Sequence, residues 1–244
     1  MTTPAFAPAD LVLLVLLVVG LPLRSWFSMQ RLRAAAPGEI ATLRPRLWLR
    51  AIVTQWLIAS AVVLQWIVQR RPLESLSLNA RFEWGAAGVL LGVVLIAILQ
   101  HSQRRDLATT PDVVARVRAR LAGVARLLPE SRGEWWKFVP LALTAGICEE
   151  LLFRGFLTWL LAQVLPEFWQ AALVQSLAFG LAHAYQGPRG VFLTFMVGAF
   201  LTGVVWITGS LWPAMLVHAL LDLNAGDFAV RLAAIPVARS APAA

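Results

Sequence analysis

Cysteine is almost missing from this chain. One cysteine, Cys148, stands among 244 residues, so neither an intrachain disulfide framework nor a CxxC metal site can form. Set in an apolar run, Cys148 reads as a small packing thiol. Charge is scarce too. Charged side chains make up 14% of the chain against about 25% in soluble domains, which argues against an ordinary soluble fold. Lysine is the scarcest basic residue: Lys137 is the only one, and every other basic side chain is arginine. The formal net charge of +8 is therefore not read as a nucleic-acid footprint, and no nucleic-acid partner is expected. The arginines cluster in short segments between apolar runs, as cytoplasmic loops of membrane chains do. The N-terminal stretch lacks the basic region and small-residue cleavage pattern of a secretory leader, so 11–27 is expected to be a retained span. The HExxH pattern of helix-borne zinc proteases is also absent.

What is present is apolar surface. Hydrophobic residues make up 59% of the chain, with eleven Trp and one Tyr, and mean hydropathy is +0.71. Several apolar runs reach about 18 residues or more, enough to cross a bilayer as helix. The predicted fold class is all-α: a polytopic transmembrane helix bundle of about seven spans plus one amphipathic interfacial helix. The predicted spans are 10–27, 48–68, 84–100, 136–161, 168–184, 191–207 and 211–228, with Pro22 kinking the end of the first. A polar linker is expected between the first two. The segment 103–134 carries Val113, Val114, Val117, Leu121, Val124 and Leu128 near helical spacing, interleaved with Arg116, Arg118, Arg120 and Arg126. It reads as a helix starting at Pro111 and lying on the anionic cytoplasmic membrane face, or alternatively as a helix that binds a partner. The domains divide as 1–135 (N-terminal spans and basic segment), 136–228 (core) and 229–244 (disordered tail). The arginine-rich linkers orient the chain with its N-terminus outside and its C-terminus inside.

Within the fourth span lies Glu149-Glu150-Leu-Leu-Phe-Arg154-Gly155. Each ionisable group at bilayer depth costs ~2.5–3.5 kcal/mol on insertion scales, which marks the place as functional. Glu150 and Arg154 are four residues apart on one helix face and can neutralise each other. Glu149 is rotated about 100° from Glu150 and has no partner on its own helix, as a general base requires. In the next span Phe179 and His183 share a face. In the last, His218 and Asp222 do, and Asp222 is expected to accept from His218 and fix its tautomer. The third histidine, His101, falls at the end of the third span. Two readings fit these groups. Glu149, His183 and His218 are the ligand types of a catalytic zinc; alternatively Glu149 activates water directly while a histidine donates to the oxyanion. Spacing does not separate them. Gly146, Gly155, Gly180, Gly198 and Gly203 are expected to let the helices approach closely.

Three motifs, in order, carry a family resemblance: Glu149 to Gly155, Phe-Gly-Leu-Ala-His at 179–183, and Thr-Gly-Ser-Leu-Trp-Pro-Ala-Met-Leu-Val-His-Ala-Leu-Leu-Asp at 208–222. They resemble the EExxxR, FxxxH and Hxxx(Asn/Asp) motifs of the CAAX prenyl protease and bacteriocin-processing family of intramembrane proteases, over roughly 136–226. The resemblance implies an intramembrane (metallo)endopeptidase acting on a peptide or lipoprotein substrate in a bacterial cytoplasmic membrane, for processing or for bacteriocin immunity. Glu149 would activate water, supported by Glu150 and Arg154. His183 would work on that water or ligate a divalent metal such as zinc. His218 and residue 222 would stabilise the oxyanion or complete a metal site. The prenyl-protease branch usually has Asn where this chain has Asp222. An ionised Asp is a poor donor, which favours an orienting role or a metal. The alternatives are a non-catalytic scaffold or immunity protein that keeps the fold, and an ion-coupled transporter, for which no inverted repeat is visible. The protease reading predicts that Glu149, His183 and His218 converge on one cavity, with Glu149 and not Glu150 facing the histidines.

Overall fold

The computed structural model describes residues 6–78, 93–94, 101–102, 105 and 110–235, with Arg120 described by its backbone alone. The tail from Pro236, and all of the 84–100 span except the helical Val93 and Val94, lie outside the described residues. Among the described residues there is no strand.

Helix α1 is Pro8–Ala34. Its start is fixed by Pro8 in the first turn and by Asp10, whose Oδ2 accepts the Ala7 N–H at 2.6 Å. Pro22 has no N–H to offer the preceding turn. The chain adapts by widening Leu16–Gly20 into a π turn, and the helix continues through Pro22 to Ala34.

Helix α2 is Pro37–Val68, so most of the expected polar linker is helical. Pro37 opens it, and Glu39 Oε2 accepts the Ala36 N–H at 3.0 Å. Arg44, polar in the sequence, is buried. Its guanidinium reaches Glu130 at 2.6 Å and Glu134, and its Nε donates to the Arg126 carbonyl at 2.9 Å. Helix α3 is Pro111–Leu121. Its apolar stripe, Val113, Val114, Val117 and Leu121, packs on Phe228 and Leu232. The amphipathic helix therefore covers the end of the last helix, where a lipid-facing stripe was expected.

Helix α4 is continuous over residues 132–162. Ser131 caps it, accepting the Glu134 N–H at 3.2 Å. Its middle is not α-helical: Ala145–Glu149 and Leu151–Leu157 are π turns, a feature common at functional sites. The Thr158 hydroxyl donates to the Phe153 carbonyl five residues back at 3.0 Å. Helices α5 (Phe168–Ala182), α6 (Pro188–Thr208) and α7 (Leu211–Ala233) follow. The last runs past its expected end at Phe228.

Among the described residues, three helices, α1, α2 and α6, are long and apolar enough to cross a membrane, and α5 is a shorter apolar helix. Leu57, Leu64 and Ile67 on α2, and Phe192 and Trp206 on α6, are exposed, as lipid-facing residues are. The fold and the apolar helices describe an integral membrane protein. The interior gathers around α4, where Leu152, Phe153 and Phe156 are buried against Phe179, Leu201 and Met215.

Close approach of α4 to α7 depends on Gly146. A Cβ there would lie 2.8 Å from the Met215 carbonyl oxygen and 2.8 Å from the Ala219 amide nitrogen. Gly203, by contrast, has nothing within 4 Å of such a Cβ, so close packing does not require it. We expect Gly146→Ala to destabilise the protein by about 1–3 kcal/mol, the usual range for overpacking, and Gly203→Ala to be neutral or slightly stabilising. Thermal unfolding in detergent reads the difference; equal midpoints would refute it.

Candidate active site

Four helices supply the site. The π turns of α4 place Glu149 and Glu150, α5 ends on His183, α7 carries His218 and Asp222, and α2 supplies Gln55.

His183 sits where α5 stops. Its Nδ1 lies 2.8 Å from the Phe179 carbonyl oxygen. A carbonyl only accepts, so Nδ1 carries the proton and Nε2 of the neutral ring offers a lone pair. That Nε2 is 3.8 Å from Glu149 Oε2. Across the site, His218 Nε2 is 4.0 Å from the same oxygen. Glu149 Oε2 is buried and makes no hydrogen bond, while its Oε1 accepts from Gln55 Nε2 at 2.9 Å. These atoms border a cavity of about 400 Å³, as does Asp222. The three groups expected to converge do so.

Glu150 corrects part of the expectation. Its Oε1 accepts from Arg154 Nη1 at 2.9 Å, as expected, and lies 2.7 Å from His218 Nδ1. The carboxylate that holds the His218 tautomer is therefore Glu150, not Asp222. Asp222 Oδ2 stands 3.9 Å from His218 Nε2, on the other side of the ring. The reason is geometric. An imidazole presents its two nitrogens in divergent directions, so one ring can face two carboxylates that neighbouring residues aim differently. His218 takes Glu150 on Nδ1 and turns Nε2 toward Glu149 and Asp222. Both glutamates thus face a histidine, and only Glu149 faces two.

Phe179 joins the pieces. Its ring centroid lies 4.8 Å from that of His183 and 5.9 Å from that of His218. The Arg154 guanidinium carbon lies 4.1 Å from the same ring centre, a cation–π contact. Arg154 Nη2 also donates to the Gly198 carbonyl at 3.2 Å. A Cβ at Gly198 would come within 3.2 Å of that nitrogen and 3.1 Å of the Phe179 ring, so here the glycine serves the site. Beyond the end of α5, desolvation holds the half-buried Tyr185 phenol above the ordinary tyrosine value, and it borders the cavity as a neutral group.

Sequence reasoning missed Gln55. The available signal was an amide inside an apolar span, with no polar partner on its own helix. Cys148 is buried beside the site and does not line the cavity. His101 is exposed and does not line the cavity.

Two histidines and a glutamate suit zinc in donor type. Tetrahedral zinc, with bonds of about 2.0–2.1 Å, needs ligand atoms roughly 3.3 Å apart. The separations from Glu149 Oε2 are 3.8 and 4.0 Å. Among the described residues no group of three or more His, Cys, Asp and Glu side chains has metal-binding geometry. The donors match the ion chemically, but their spacing does not. It suits hydrogen bonds of about 2.8 Å made by one small bridging group.

Residues 131–224 match the family model described as type II CAAX prenyl endopeptidase Rce1-like. The match takes in Glu149, Glu150, Arg154, Phe179, His183, His218 and Asp222, and it agrees with the resemblance carried by the three motifs. The segment that holds the site is thus similar to the Rce1-like family, a likeness that suggests a CAAX-type intramembrane protease. No curated protein and no solved structure matches the chain.

Proposed function

We propose that the protein is an intramembrane endopeptidase that hydrolyses a peptide bond with water activated by Glu149 and His183. One observation carries this reading. A buried carboxylate oxygen without a hydrogen-bond partner faces two imidazole Nε2 atoms at 3.8 and 4.0 Å, on the wall of a cavity. A water donating to Glu149 Oε2 and His183 Nε2 would be oriented and polarised there. Glu149 takes one proton as the water oxygen bonds to the scissile carbonyl carbon. In its protonated form, His218 donates Nε2–H to the resulting oxyanion, and Glu150 at Nδ1 holds the ring in that direction. As the C–N bond breaks, the Glu149 carboxylic acid returns its proton to the leaving amine. Asp222 borders the oxyanion side of His218 and positions the ring and the substrate there.

The substrate is a peptide or lipoprotein entering from the bilayer, in a bacterial cytoplasmic membrane. The clustered arginines of α3 and of the α1–α2 junction support a cytoplasmic location for those segments, with the N-terminus outside and the C-terminus inside.

The test uses the full-length protein purified in detergent and a library of plain and lipidated peptides read by mass spectrometry. Cleavage at a defined bond, unchanged by a strong chelator, is the expected result. No cleavage of any peptide would refute the protease reading. Loss of cleavage with chelator and recovery with added zinc would replace water activation by the two side chains with a metal mechanism.

A further inference from the structure

Helix α1 contributes one stripe to the cavity wall: Leu21, Arg24, Ser25, Ser28 and Met29. Their spacing is that of a single helix face. Three of the five are hydrogen-bond donors. Among the described residues, the side chains of Arg24, Ser25 and Ser28 make no hydrogen bond or ion pair. That sets Arg24 apart from the other arginines held inside the helix bundle. Arg44 is paired with Glu130 and Glu134, Arg71 with Asp10, and Arg154 with Glu150. The charge that acts on Arg24 from the adjacent helix is another cation, Arg50. The cavity's own carboxylates do not neutralise it: Glu149 is held by Gln55, and Asp222 faces His218. A half-buried guanidinium and two hydroxyls, all without partners and aimed at one space, describe a receptor for an anion.

We propose that Arg24, with Ser25 and Ser28, forms the subsite that binds a carboxylate of the peptide substrate. This rests on the hydrolase reading above and adds what the substrate must carry. The subsite shares one cavity with Glu149, so a peptide lying across the site presents its own anion to α1 while its scissile carbonyl lies at Glu149. The planar guanidinium fork matches a carboxylate's two oxygens, and the serine hydroxyls complete its hydrogen bonds. The subsite also lies outside residues 131–224, the segment the family model matches. Substrate selection thereby falls to the part of the chain that carries no catalytic motif.

The carboxylate can belong to the chain terminus or to an acidic side chain, and three versions of one cleavable peptide separate these sources: a free C-terminal acid, its C-terminal amide, and the amide with one Glu near its end. They are compared on wild type, Arg24→Gln, Arg24→Lys and Ser25→Ala/Ser28→Ala, each checked for an unchanged unfolding temperature. Wild type is expected to cleave the free acid, or the Glu-bearing amide, roughly 10- to 100-fold better in kcat/KM than the neutral amide, the range for a hydrogen bond to a charged group. Arg24→Gln should lower that rate to the neutral-amide rate, which itself stays unchanged; Arg24→Lys should recover part of the preference. An equal preference in wild type and Arg24→Gln overturns the proposal. So does a loss on Arg24→Gln that is the same for all three peptides and follows the anionic lipid content of the vesicles, which would assign Arg24 to a lipid phosphate. If wild type cleaves none of them, the hydrolase reading fails first. Binding of the same peptides, followed by tryptophan fluorescence (Trp48 lines the cavity), then decides the subsite: a carboxylate preference lost in Arg24→Gln upholds it, and equal binding ends it.

Discussion

Glu149→Gln is expected to lower peptide cleavage by about 10²–10⁴-fold, the usual worth of a general base, and to leave the fold intact. The substitution keeps the shape of the side chain. Glu149 has one hydrogen bond, from Gln55, and an amide oxygen can accept it equally well. No ion pair with arginine is lost, because Arg154 answers to Glu150. What is removed is the ability to take and return a proton at the atom that faces both histidines. Stability and activity should therefore separate: the unfolding midpoint stays within a few degrees of wild type while cleavage collapses. Cleavage within about threefold of wild type, in a protein of unchanged stability, would remove Glu149 from the mechanism. His183→Ala should fall by a similar factor, since its Nε2 is the second acceptor for the same water.

The residues of the site were legible in the sequence because burying charge is costly. Two carboxylates and an arginine inside an apolar run, followed by a histidine in each of two later runs, are too expensive to be incidental: Glu149 and both histidines border one cavity, and Glu150 links Arg154 to His218. The pairing within the site was less legible. Helical spacing assigns partners along one helix, and it gave Arg154 to Glu150 correctly. It also assigned Asp222 to His218, because four residues separate them. The π turns of α4 and the close approach at Gly146 bring Glu150 to His218 across helices, and neither is written in a local pattern. Gln55 escaped for the same reason, since its partner is 94 residues away. Helix ends followed a different rule. The stretch around Arg44 looked like a linker because it is charged, but Glu130 and Glu134 neutralise that arginine and allow α2 to begin at Pro37. The stripe on α3 was read as lipid-facing, although periodicity identifies an apolar face without saying what covers it; here it is α7.

The pairing that only the structure revealed carries the second large prediction. Glu150 is fully buried and serves two partners with one oxygen. Glu150→Ala would leave the Arg154 guanidinium buried with only the Gly198 carbonyl and the Phe179 ring, and breaking a buried pair in this way costs about 3–5 kcal/mol. Loss of activity in that variant would be uninformative, because an unfolded protein is also inactive. Replacing both charges resolves this. Glu150→Leu with Arg154→Met removes the uncompensated ion and fills much of the volume, and such replacements of buried pairs are often neutral or stabilising, by about 1–4 kcal/mol. The double variant should therefore unfold near the wild-type midpoint. Its cleavage should nevertheless stay at least about 10²-fold down, because His218 has lost the acceptor that fixes its tautomer and aim, as when an orienting carboxylate is removed from a catalytic histidine. Its pH–rate profile should also change, since a freely turning ring no longer presents Nε2 in one protonation pattern. If the double variant instead regains wild-type cleavage, Glu150 is no more than a counter-ion for Arg154, and His218 is positioned by packing against Phe179 alone.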